Sequence, residues 1–98
     1  MASFVIAFDS THAAIAAQEV LKKPPNGADP VRFSVVSTPA EISAGCGISL
    51  SFEAETRINA LETLVLLHEF YQVASLYERV SGACGSRFEL LDGGLIGW

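Results

Sequence analysis

The run Phe4-Val5-Ile6-Ala7-Phe8 constrains this chain most. It is apolar without alternation and rich in strand formers, so it reads as a strand buried on both faces and central in a sheet. Asp9-Ser10-Thr11-His12 ends it at once. An oxygen of Asp9 or Ser10 can accept a backbone N–H at the start of a helix. Ala13 to Lys23 is rich in Ala, Gln, Glu, Leu and Lys, with Ala13, Ala17, Val20 and Leu21 on one face. Lys22 and Lys23 suit the negative end of that helix, and Pro24-Pro25 stops it.

After a turn-rich connection from Pro24 to Pro30, Val31 to Val36 reads as a half-exposed strand. Gly47 to Phe52 alternates and reads as the next strand, with Ser51 as the cap of a helix from Ala54 to about Phe70. Ile58, Leu61, Val65 and His68 recur at helical spacing, widened by Leu64 and Leu67, which predicts the buried stripe. Tyr71 to Tyr77 reads as a further strand. The order βαββαβ predicts an α+β ferredoxin-like sandwich over residues 1–79. Its antiparallel sheet would run in the order 4-1-3-2, with both helices on one face. Residues 80–98 form a C-terminal extension: a turn-like stretch through Cys84, a candidate fifth strand over Arg87 to Leu91, and an apolar end. So apolar a tail should dock, on its own domain or on a second copy.

Composition narrows the function. Half the residues are hydrophobic and 17% are charged, which excludes disorder as the main state. Eleven acidic side chains face six basic ones, for a net charge of −5. Without clustered cations, nucleic acid and acidic membrane surfaces are poor partners. The opening residues lack the cationic start of a signal peptide, and the apolar runs are too short to span a membrane. The expectation is a cytoplasmic protein. Two cysteines, Cys46 and Cys84, are too few for a disulfide scaffold and should rest as thiols. No ligand pair has metal-site spacing, and no phosphate loop or nucleophile elbow is present, so neither metal nor cofactor is expected.

Topology turns the fold reading into a site. Strand one ends at Asp9 to His12. Strand three runs antiparallel beside it, so Cys46, just before strand three, should lie near the start of helix one. Helix N-termini stabilise negative charge, and the thiolate is the reactive form of cysteine. Gly45 and Gly47 allow a tight turn and close approach of another molecule. His12, or His68 at the end of helix two, could carry a proton there. The plainer readings are a small buried thiol at Cys46, an exposed His12, a packed His68 and a structural thiol at Cys84.

These residues resemble a known family. Val5 to Ala14 looks like its opening strand and S-T-H turn. The segment from Pro39 to Leu50 looks like its P-R-E-I-S-S-x-C-G-(L/I)-(A/S)-L segment, with Ala40 where the family commonly has arginine. The family is the small selenium/sulfur carrier-like proteins, and the resemblance covers about residues 4–78. It implies that Cys46 is the carrier thiol, that Ser10, Thr11 and His12 are its neighbours, and that Glu41 and Ser43 shape the loop. The implied function is to hold sulfur or selenium on Cys46 as a persulfide or selenosulfide between a donor and an acceptor protein, without turnover of its own. Cys84 is then a candidate resolving thiol. Two other readings compete. One is a ferredoxin-like binding or regulatory module that forms a homodimer through a sheet edge or the tail. The other is a redox sensor in which Cys46 and Cys84 pair reversibly.

Overall fold

A computed structural model of the chain describes residues 2–24, 27, 29–39, 42, 47–67, 74–82 and 85–92. Among these, five strands and two helices follow in the order β1 (Ala2–Phe8), α1 (Thr11–Lys22), β2 (Ser34–Ser37), β3 (Ile48–Ala54), α2 (Arg57–Leu66), β4 (Ala74–Gly82) and β5 (Gly85–Asp92). Every strand pair is antiparallel, in one sheet of order β2-β3-β1-β4-β5. The class is α+β, as expected. The expected four-stranded sheet is five-stranded here: β4, β1, β3 and β2 are neighbours in that sequence, and β5 occupies the edge beyond β4. The reason is local. β4 does not stop at Tyr77 but runs to Gly82, which pairs with Gly85, and β5 returns along it as far as Leu76↔Asp92. The stretch read as a turn from Val80 is mostly strand.

β1 is central, as its uninterrupted apolar run requires. Phe4, Ile6 and Phe8 join Leu50, Phe52 and Ala54 of β3 and Ala74 and Leu76 of β4 in the main core. Buried residues of both helices, among them Ala14, Ala17, Leu21, Ala60 and Leu64, complete that core. Phe4 and Phe52 are directly opposite across the strands and their rings stack at 5.7 Å. Such a pair adds about 0.5–1.5 kcal/mol beyond its burial. Val5 and Ala7 point to the other face and belong to a separate small cluster with Ile42, packed by Tyr77 and Phe88.

Helix α1 begins where its cap predicts. The Ser10 hydroxyl accepts the Ala13 N–H at 3.1 Å, and its carbonyl accepts the Ala14 N–H. Helix α2 differs from expectation at its start. Ser51 lies inside β3, and the cap is Thr56, whose hydroxyl accepts the Asn59 N–H. Leu50, Phe52 and Ala54 keep alternating into the core, so β3 runs two residues past its expected end at Phe52. Leu64 and Leu67 are buried as expected, but the rest of the α2 stripe is rotated. Ile58 is 71% exposed and Val65 54% exposed, while Ala60, Thr63 and Leu64 are buried. Arg57 ties the first turn of α2 to the sheet: its Nε donates to Glu78 at 2.6 Å, and its Nη2 lies 4.0 Å from Glu89. Glu78 and Glu89 face each other across β4 and β5, so this cation offsets a like-charge pair.

Strand β2 is shorter than Val31–Val36. Val31 and Phe33 pack against the core before the strand starts, and the Val31 N–H donates to the Leu21 carbonyl. No helix among the described residues is long and apolar enough to cross a membrane.

Candidate functional site

β1 ends at Phe8 and α1 begins at Thr11, so the connection is two residues long. β3 pairs with β1 through Ala7↔Ser49. Gly47, two residues before Ser49, therefore lies at the same end of the sheet as the start of α1. Asp9, Ser10, Thr11 and His12 are all exposed there, as is Gly47. No acidic side chain occupies the first turn of α1, so nothing on that turn opposes the positive end of its dipole.

The segment between β2 and β3 is fastened at both flanks. The Thr38 N–H donates to the Gly47 carbonyl at 3.0 Å. The hydroxyls of Thr38 and Ser49 hydrogen-bond at 2.7 Å, with Ser49 fully buried. Midway along, Ile42 donates its N–H to the Pro39 carbonyl and is 4% exposed. It seats on Val5 and Ala7, on the sheet face away from the helices. Sequence reasoning missed Ile42, Thr38 and Ser49. The signal for Ile42 was present: it is the one large aliphatic residue between Thr38 and Ile48. The Thr38–Ser49 pair carries no such signal, since two hydroxyls eleven residues apart meet only through strand pairing.

The expected site residues divide accordingly. Ser10, Thr11, His12 and Gly47 are described and come to one end of the sheet. Glu41, Ser43, Gly45, Cys46, His68 and Cys84 lie outside the described residues, with Ala40. Gly47 is not in the left-handed region, and a Cβ built on it would meet nothing within 4 Å. Its missing side chain leaves room for approach rather than making a turn that only glycine can adopt.

The described neighbours of the two cysteines are far apart. Gly82 and Gly85 pair beyond Ser3↔Arg79, at the opposite end of the sheet from Gly47. Counted along the registers, Gly47 and Gly85 are nine positions apart, about 30 Å at ~3.3 Å per residue. A groove lined by Lys22, Arg32, Glu53 and Glu62 also lies toward that far end, near Ser3, away from the α1 start. Among the described residues no three His, Cys, Asp or Glu side chains group as a metal site requires.

No curated protein matches the chain, and no solved structure does. A family model described as "Putative Se/S carrier protein-like" matches residues 3–77, from β1 into β4. The matched span takes in the exposed α1 start, the fastened β2–β3 segment and Gly47, and stops short of the β4–β5 hairpin: this chain belongs to the Se/S carrier protein-like family.

Proposed function

We propose that the protein carries a sulfur or selenium atom on Cys46 and passes it between partner proteins. The observation that carries this reading is the family match over residues 3–77. The geometry of the described residues supports it. Gly47 and the start of α1 share one end of the sheet, where Asp9, Ser10, Thr11, His12 and Gly47 are exposed. Transfer between proteins needs exposure of that kind, because a donor's sulfur must reach the thiol directly.

Loading is a thiol exchange with no net oxidation. The Cys46 thiolate attacks the outer sulfur of a donor persulfide, R–S–SH. A new S–S bond forms at Cys46, the donor's S–S bond breaks, and R–S⁻ departs with the electron pair. Discharge repeats the step, with an acceptor thiolate attacking the outer sulfur of Cys46–S–SH. For selenium the outer atom is selenium and the balance is the same. The dipole of α1 favours the thiolate before loading and after discharge. His12, exposed in the first turn, takes or returns the thiol proton. Ser10 and Thr11 set the helix start, and Glu41, Ser43 and Gly45 shape the approach. Cys84 can take part only from a second chain, since the described neighbours of the two cysteines stand about 30 Å apart.

The test is loading by glutathione persulfide, read by intact mass. Wild type and Cys84→Ala should each gain one sulfur that a reducing thiol removes, and Cys46→Ser should gain none. Equal loading of Cys46→Ser would overturn the proposal.

A further inference from the structure

The two edges of the sheet are built differently. β2 has four residues and lies between Pro30 and Pro39, so little backbone is offered for pairing. β5 has eight residues, no proline, and no partner on its outer side among the described strands. Its regular part runs from Gly85 to Leu90, because the register with β4 shifts at Leu91. Such an edge is a template for another strand.

Geometry limits how a second strand can join. Gly82 and Gly85 are the closing pair of a hairpin with two residues between them. Closing pairs of this kind are hydrogen-bonded, so Gly85, Arg87 and Glu89 aim their backbone groups at β4, and Ser86, Phe88 and Leu90 aim theirs outward. An antiparallel partner copy must then pair even-numbered positions with even-numbered positions. Three centrings, on 87, 88 and 89, set the charged positions 87 and 89 against themselves or each other. Centring on position 87 sets Arg87 against Arg87, and centring on 89 sets Glu89 against Glu89. Centring on Phe88 sets Arg87 of each copy opposite Glu89 of the other, twice. Like charges directly opposite destabilise a strand pair and opposite charges stabilise it. Only the Phe88-centred register is complementary.

The side chains agree with it. Arg87 is exposed and Glu89 half-buried, both on the helix side of the sheet, where Arg87 already reaches Glu89 of its own chain at 3.1 Å. Phe88 is half-buried on the other side, against the Val5 cluster, and Leu90 is 51% exposed. In the Phe88-centred register the two Phe88 rings meet beside that cluster.

We infer that the protein forms a two-fold homodimer in which β5 pairs with β5 of a second copy around Phe88, making one ten-stranded sheet. The inference does not depend on the carrier reading. β5 lies outside the residues the family model matches, so the device belongs to this chain's extension. The two copies of Gly85 lie six positions apart, about 20 Å at the strand rise, so no Cys84–Cys84 bond holds the dimer.

Sedimentation velocity on the full chain tests it, in reductant. Wild type should be dimeric. Arg87→Glu alone and Glu89→Arg alone each convert both complementary pairs to like charges, and each should weaken the dimer by about tenfold. An equimolar mixture of the two variants restores Glu opposite Arg at both pairs, and should dimerise about as tightly as wild type. Circular dichroism of each variant checks that the monomer is folded. A monomeric wild type at high micromolar concentration would overturn the inference, as would dimers that ignore both substitutions or variants that fail to complement. A dimer lost in reductant would point to a disulfide contact and overturn it equally.

Discussion

Ser10 shows how much one side chain settles. Its hydroxyl accepts the Ala13 N–H and its carbonyl the Ala14 N–H, so the last residue before α1 directs the helix away from the end of β1. Ser10→Ala should lower stability by about 1 kcal/mol and Ser10→Gly by only a few tenths, read by urea denaturation. Equal losses would mean that the hydroxyl bond is not what matters at this position. Phe4 and Ile42 were equally decided by type, each an apolar group with a buried seat. Ile58 and Val65 were not. They are as apolar as their buried neighbours and end up in solvent, because α2 has more than one candidate stripe and the one it buries carries Ala60, Thr63 and Leu64.

Among the elements, the β2–β3 segment matters most to the candidate site. It is fastened by the Thr38–Gly47 backbone bond, the Thr38–Ser49 hydroxyl pair and the Ile42 seat. Thr38→Val keeps the shape but removes the hydroxyl facing fully buried Ser49. It should cost about 1–3 kcal/mol, and Thr38→Ser should cost much less. Thermal unfolding distinguishes the two. If the carrier reading holds, the alkylation rate of Cys46 should also change in Thr38→Val, since the flank at Gly47 loses part of its support. The β4–β5 hairpin is the second decisive element. It turns much of the expected turn from Val80 into strand and sets the candidate strand over Arg87 to Leu91 at the sheet edge, and Arg57 holds it to α2 through Glu78 and Glu89.

Over the whole molecule, the sheet works as a ruler. The α1 start and Gly47 stand at one end, and Gly82 and Gly85 at the other. A disulfide needs Cα atoms within about 7 Å, and one peptide step on each side shortens a gap of about 30 Å by less than 8 Å. Mild oxidation of the monomer should therefore produce no loss of two hydrogens by intact mass, and any Cys46–Cys84 bond should appear between chains on non-reducing electrophoresis. An intrachain bond in the folded protein would contradict the register of β4 with β1.

The order of elements, the central place of β1, the cap of α1 and the meeting of the α1 start with the entrance to β3 were all written in residue type and spacing. Those features depend on local rules: apolar runs, capping oxygens, and chain direction once strand neighbours are set. The length of β4, the pairing of β5, the stripe that α2 buries and the Thr38–Ser49 bond were decided only by tertiary structure. Each is a choice between locally similar options, resolved by contacts with residues distant in sequence. A stretch with Gly82 and Gly85 near its middle satisfies a turn as well as it satisfies a hairpin, until β4 is present for β5 to pair with.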